Sequence, residues 1–316
     1  MHPSTPSPPE RPVLRLLADD LTGALDSAAR FVPLVGPVPV VWAGDIPSGT
    51  VAIDSGTRDA DAATAAETLH RLSGALHGGD IAFKKIDSVL RGHVALELDA
   101  CRPGFDRCVV APAFPDQGRV TRGGTQWVRT GETWDDRGAP VPMEDAESDA
   151  DLDAIVARHR CGAGRVLWVG SAGLAGALAE RMPVPQPELP APVLALIGSD
   201  HPTTAAQVHT AAARPGIVTP DLPAGLSRET ALSLIVARFI QTLATMPRPG
   251  TLFVTGGATL RALCEALDAT GLTVDGETEP GVPTAVLRGG RWDGQRIVSK
   301  SGGFGDPGLL VRLLDR

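Results

Sequence analysis

Two ammonium groups, a carboxylate, a hydroxyl and a guanidinium fall within eight residues of this chain: Lys84, Lys85, Asp87, Ser88 and Arg91, with Gly92 directly after them. Such a set makes an anion site with a carboxylate of its own. The cations can neutralise and orient a carboxylate or a phosphoryl group, while the carboxylate can accept a proton from a hydroxyl. A Lys-Lys pair alone more often belongs to a solvated charge run. Here the charges stand at a junction. Ile81, Ala82 and Phe83 read as a strand end, and Val94, Leu98 and Cys101 recur at i, i+4 and i+7 as one helix face. In an open α/β sheet, ligands collect beyond the carboxyl ends of strands, where helix N-termini present free N–H groups.

The same strand, polar turn and helix pattern appears elsewhere. Val13 to Ala18 is a short apolar run, followed by Asp19-Asp20 and a helix whose Leu21, Leu25, Ala28 and Val32 share a face. Asp20 or Thr22 would cap that helix. One carboxylate of the pair can also orient or deprotonate a substrate hydroxyl, and both roles can hold because neighbouring side chains at a strand end point in different directions. Later, Thr251 to Val254 reads as a strand, Thr255-Gly256-Gly257-Ala258-Thr259 as a turn, and Leu260, Leu263, Cys264 and Leu267 as the next helix face. Glycines at such a turn let phosphate oxygens approach backbone N–H groups. Lys300-Ser301-Gly302-Gly303-Phe304-Gly305 is a second glycine loop, in which Lys300 and free N–H donors suit a nucleotide phosphate. Structural turns alone would also account for these glycines.

Between these motifs, short strands are expected at Val38–Trp42, Val51–Ile53, Cys108–Ala111, Val166–Val169, Val193–Ile197 and Ile297–Val298, with helices over Ala60–Leu76, from Ala172 and over Ser227–Leu243. Pro112 to Gly124 reads as a loop holding Arg119 and Arg122, and Trp127 to Ala150 has little periodicity. Strands alternating with helices predict an α/β protein with mostly parallel sheets. Met1 to Pro12, rich in Pro and Ser, is expected to be a disordered tail. Five prolines between Met182 and Pro192 mark a linker at 183–192, dividing a first domain, 13–182, from a second, 193–316.

Bulk properties narrow the classes. With 316 residues, 43% of them hydrophobic, the chain is long enough for two cores. A net charge of −8 argues against a general nucleic-acid binder. No segment approaches the roughly 18 uninterrupted apolar residues of a membrane helix. The N-terminus lacks a signal peptide's basic and then apolar order. Cys101, Cys108, Cys161 and Cys264 lack paired metal-ligand spacing and read as reduced thiols, so a cytoplasmic protein without a metal motif is expected.

The stretch Lys84 to Gly92 resembles the signature of the four-carbon acid sugar kinases, which phosphorylate tetronates such as threonate, erythronate or their oxo derivatives with ATP. Ala18–Ala24, Ala111–Arg119, Gly170–Ala175, Thr255–Gly257 and Lys300–Gly305 are similar to further blocks of that family in the same order. The resemblance implies an N-terminal sugar-acid-binding domain and a C-terminal nucleotide-binding domain. Asp19, Arg58, Lys84, Ser88, Arg91, Gly92 and Arg119 would bind the acid, with Lys85 and either Asp20 or Asp87 at the chemistry. Ser199, Gly256, Gly257, Ala258, Thr259, Lys300, Gly302 and Gly303 would bind ATP, and Mg2+ is expected with the nucleotide. Two departures stand out: Ala258 occupies a position where the family implies an acidic residue, and the middle, 127–150, is shorter than the insertion the family carries there. The partners implied are a small sugar acid and ATP, with no nucleic acid and no membrane; a homodimer is left open. The chain has no Gly-x-x-x-x-Gly-Lys-Ser/Thr loop. Asp19-Asp20 also lacks the two-residue spacing of an aspartyl phosphatase. A non-catalytic sugar-acid sensor on the same fold is the alternative.

Overall fold

Short apolar runs form the strands, and each first-half strand of the main sheet ends where the polar motifs begin. In the computed structural model, which describes residues 11–316, the first half runs β1 (Leu14–Ala18), α1 (Leu21–Val35), β2 (Val38–Val41), β3 (Val51–Asp54), α2 (Ala62–Leu72), β4 (Ile81–Lys85), α3 (Val94–Cys101) and β5 (Arg107–Ala111). It continues with a small antiparallel sheet, β6 (Arg119–Arg122), β7 (Thr125–Thr130) and β8 (Thr133–Asp136), then α4 (Asp149–Arg160), β9 (Val166–Gly170) and α5 (Ala172–Leu178). The tail expected over 1–12 lies outside the described residues except for Arg11 and Pro12.

The first-half strands are parallel, in the order β2-β3-β1-β4-β9-β5. Their register is level at the carboxyl ends: Ala18 lies opposite Asp54 and Lys85, and Gly170 opposite Lys85 and Ala111. The turns after these strands therefore open on one edge.

The second half runs β10 (Val193–Ile197), α6 (Pro202–Thr210), β11 (Ile217–Val218), α7 (Arg228–Thr245), β12 (Thr251–Thr255), α8 (Gly257–Ala266), β13 (Gly271–Glu279), β14 (Val282–Arg288), β15 (Arg296–Lys300) and α9 (Leu309–Leu314). Strands β11-β10-β12-β15 are parallel and again level, with Thr255 opposite Ile197 and Lys300. The segment from Met182 to Pro192 carries no helix or strand, and its Pro185 and Pro190 carbonyls accept hydrogen bonds from Glu277 and Thr251 of the second half.

Two α/β halves with mostly parallel pairing match the sequence expectation, but their sheets are not separate. The hairpin β13–β14, turning at Pro280-Gly281, inserts between them: β14 pairs antiparallel with β15, and β13 pairs antiparallel with β2. One 12-stranded sheet results, with three antiparallel pairings at its centre. The halves consequently run in opposite senses along it. Register shifts at Val274/Gly276 and Glu277/Glu279 interrupt the β13–β14 ladder, and such bulges add bend and twist. The sheet wraps around α1, which packs against β1 to β4 and β13 to β15 as well as α5 and α8. All but Arg30, Pro33 and Leu34 of α1 is buried. Leu16 and Ala18 face this shared core, while Leu17 faces a second core under α2 and α3. Among the described residues no helix is long and apolar enough to cross a membrane.

The β6–β8 sheet corrects the loop expected over 112–124 and the aperiodic middle. Its first hairpin turns at Gly123-Gly124, both with positive φ (57° and 73°), the backbone such two-residue turns demand. Buried Gln126 of β7 donates to the Ser88 carbonyl at 2.7 Å and so anchors the small sheet over the β4 turn.

Candidate functional site

The carboxyl ends of both parallel sets open on one crevice of about 2180 Å³. Asp19, Asp20, Arg58, Arg91 and Arg119 line it from the first half; Ser199, Gly256 to Thr259 and Ser301 to Gly303 line it from the second. The glycine turn after β12 packs against Thr22 and Asp20. A Cβ added to Gly257 would collide with the Thr22 hydroxyl and stand 3.0 Å from Asp20 Oδ2, and one added to Gly23 would stand 2.7 Å from both Asp20 Oδ1 and Lys85 Nζ. Asp20 thus lies between the cationic junction and the glycine turn.

Asp20 also caps α1, accepting from the Gly23 N–H at 2.9 Å, as the Asp-x-x-Gly spacing foreshadows. Its neighbour Asp19 is clasped by Arg58 through Nε and Nη2, and Arg58 Nη1 reaches Asp20 Oδ2 at 2.6 Å. The two carboxylates part electrostatically. Burial alone would raise Asp19, but Arg58, with Lys85 beyond it, holds it below the ordinary range. Burial pushes Asp20 above that range, and the nearby Asp19 charge adds to this against the pull of Arg58. Asp87 accepts two hydrogen bonds from the Arg91 guanidinium and one from the Arg91 N–H. Burial opposes, yet those bonds and the charges of Arg58 and Arg91 hold Asp87 well below the usual carboxylate range.

Strand alternation separates the two lysines of the motif. Lys85 points to the α1 side, donating to the Ile86 carbonyl and bordering a small recess with Ser88, Asp87 and Arg119. Lys84, expected to hold substrate, points to the other face of the sheet. It is fully buried and pairs with Glu97 of α3 at 2.8 Å, which in turn accepts from Thr57. Gly92, at φ +85°, lies against Arg58: an added Cβ would stand 3.3 Å from the Arg58 Cα, so its part is to let that turn pack.

In the second half, Gly256 takes φ +92° between β12 and α8, a backbone conformation that favours glycine, and exposed Ala258 stands in the first turn of α8. Added Cβ atoms at Gly257 and Gly302 would collide with Thr22 and Ser199, so the turns are cradles that side chains would fill. Two expected nucleotide contacts are internal. The Thr259 hydroxyl donates to the Gly198 carbonyl and ties two turns together. Lys300 is buried, donating to Thr204 and to the Ser301 and Gly302 carbonyls, so it shapes the loop from beneath. His201, lining the crevice, caps α6 by accepting from the Thr203 N–H.

Sequence reasoning missed Asp26, Ser171 and Phe304, which line the recess behind Lys85. For Asp26 a signal existed: it lies four residues after Thr22, on the same face of α1. It also missed Arg261, whose guanidinium bridges the halves to buried Asp54 at 2.7 Å.

The chain matches two family models: the sugar-binding N-terminal domain over residues 14–137 and the nucleotide-binding C-terminal domain over residues 221–310. It is similar to the D-threonate kinase of Cupriavidus necator, 29% identical over 404 aligned positions covering 93% of this chain and 95% of the relative. A D-threonate kinase of Bordetella bronchiseptica is 28% identical, covering 95% and 96%. A solved Haemophilus influenzae protein shares the fold with a TM-score of 0.64 at 17% identity, covering 95% of this chain and 99% of that one. Along most of its length the chain is homologous to the D-threonate kinases, which are tetronate kinases.

Proposed function

We propose that this protein transfers the terminal phosphoryl group of ATP to a hydroxyl of a four-carbon sugar acid. The observation that carries the reading is Asp20, set between Lys85 and Gly257 where the two halves meet. Homology to the D-threonate kinases supports a sugar-acid kinase in general, and the arrangement supports particular roles.

Phosphoryl transfer depends on positioning and on neutralising charge. Lys85, Arg91 and Arg119 supply cations to the acid and to the migrating group. Asp20 accepts the proton as the substrate oxygen forms its bond to phosphorus and the bond to ADP breaks. Asp20 is better suited than Asp87, because a base works best with a pKa near the operating pH, and Asp87 is held low by Arg91. Asp19 has the different task of fixing Arg58 against both Asp20 and Asp87. The N–H groups of Gly257 and of the Gly302-Gly303 turn receive the nucleotide phosphates, with Ser199 beside them, while Gly256 shapes its turn by donating its own N–H to the Lys300 carbonyl. Bound with ATP, Mg2+ would offset the charge on the phosphates. Mg2+ typically reaches such sites on substrate phosphates through one or two carboxylates, so it would arrive with the nucleotide. Use of ATP fits a cytoplasmic setting.

The test is ADP release and substrate mass gain with threonate, erythronate and their oxo derivatives, with and without Mg2+. One acid gaining a phosphoryl mass is the expected result. Binding of an acid with ATP left intact under all conditions would instead favour the sensor.

A further inference from the structure

Behind Lys85 the crevice continues into a recess of about 40 Å³, bordered by Asp26, Arg119, Ser88, Ser171 and Phe304. That space holds about three waters, the size of one end of a small molecule. Among the described residues, atoms on its two charged walls have no protein hydrogen-bond partner. Asp26 is 4% exposed and its Oδ1 has no hydrogen-bond partner. The Arg119 guanidinium lies over the Phe304 ring at 4.9 Å, and its buried Nε and Nη1 are likewise unpartnered. A buried polar atom left without a partner costs about 1–3 kcal/mol, so an unpaired donor and acceptor beside one recess point to a ligand that supplies both partners.

Resting on the sugar-acid reading above, we infer that Asp26 recognises the hydroxyl next to the carboxylate of the bound acid, while Arg119 holds that carboxylate. The geometry fits this division. Thr22, Gly23 and Asp26 lie on one face of α1, so an acid whose carboxylate sits at Arg119 runs along that face toward Asp20 and Gly257. A planar guanidinium suits a carboxylate, whereas a carboxyl suits a hydroxyl. Burial raises the Asp26 carboxyl, with Arg30 opposing, and a protonated carboxyl can both donate to and accept from a hydroxyl. Asp26 is therefore a specificity residue, distinct from the proton acceptor at Asp20.

The experiment compares a tetronate with 3,4-dihydroxybutanoate, which lacks only that hydroxyl, in the unmodified protein and in Asp26→Asn and Asp26→Ala. Both kcat/KM and calorimetric Kd are measured. The unmodified protein should favour the tetronate by about 30-fold, as expected when a buried polar group loses its partner. Asp26→Ala should bring the ratio within about threefold by weakening the tetronate alone, with Asp26→Asn between the two. Equal losses on both acids, or an unchanged ratio, would overturn the inference. Should neither variant fold, the unmodified protein decides: a ratio under about threefold overturns the inference, and one near 30-fold supports it. If no acid is phosphorylated, the kinase reading fails while the calorimetric ratio still judges Asp26.

Discussion

Arg58 binds Asp19 through two parallel hydrogen bonds, Nε to Oδ2 at 2.7 Å and Nη2 to Oδ1 at 2.8 Å, and turns its remaining nitrogen to Asp20. One planar cation thereby keeps buried Asp19 and its half-buried neighbour Asp20 apart in character. Lysine cannot reproduce the fork. Arg58→Lys should lower kcat/KM by about 100-fold or more, because Asp20 loses its orientation. Arg58→Ala should also cost about 3–5 kcal/mol of stability by leaving Asp19 buried and unpaired. Steady-state kinetics and urea unfolding of the two variants check both statements.

The acid limb of the pH profile should belong to Asp20. A proton acceptor works only when ionised, so kcat/KM rises with pH through the pKa of this carboxyl, which lies above the ordinary 3.8. Asp20→Asn should lower kcat by about 10²–10⁴-fold and flatten that limb. Asp87→Asn should weaken substrate binding and keep the limb. A limb that persists in the residual activity of Asp20→Asn would reassign the base.

Lys84 should matter for folding alone. Lys84→Met strands Glu97 in the core and should destabilise by about 3–5 kcal/mol. The double variant Lys84→Met/Glu97→Gln should recover much of this while keeping kcat within about threefold, read by thermal melting and turnover. A large kcat loss in the stable double variant would place Lys84 back in the chemistry.

Glu277 gives a stability prediction with a sign. Burial pushes its carboxyl up to about 7 from 4.5, with Arg30 opposing. The folded state then holds a proton that the unfolded state releases between these pH values, so stability falls as pH rises through this window and levels off above about 7. Glu277→Gln removes that slope. The variant's stability relative to the parent should therefore be more favourable at pH 8 than at pH 4.5 by about 3 kcal/mol, measured by denaturant unfolding at both.

Much of the crevice lining was legible because parallel strands in α/β sheets are apolar runs that stop abruptly, and ligands of such sheets generally collect at the stop. Asp19-Asp20, Gly256-Gly257 and, in the β4 turn, Lys85, Asp87, Ser88, Val89 and Arg91 could be found that way, and they line the crevice or its recess. The burial of Lys84 against Glu97 was harder to see, because period-two alternation sends adjacent strand residues to opposite faces. The internal bonding of Lys300 was hidden for a different reason. Its three hydrogen-bond acceptors come from Thr204 and from its own loop, a closure that charge and spacing do not encode. Asp26 was hidden inside a helix whose apolar pattern explained its neighbours. The β13–β14 hairpin, which decides how the halves meet, carries its only strong local sign at Pro280-Gly281.

The ladder between β2 and β13 has a mechanical meaning. Leu272, Thr273 and Val274 are laced to Val40, Pro39 and Val38 by main-chain pairing, so the acid end and the nucleotide end of the molecule share one continuous girder. Separating them by swinging on a pivot would tear that lacing. For the phosphoryl transfer proposed above, the distance to be crossed would be set by the pitch of a coiled sheet, and admitting or releasing the reactants would fall to elastic torsion of that girder and to pieces mounted on its rim.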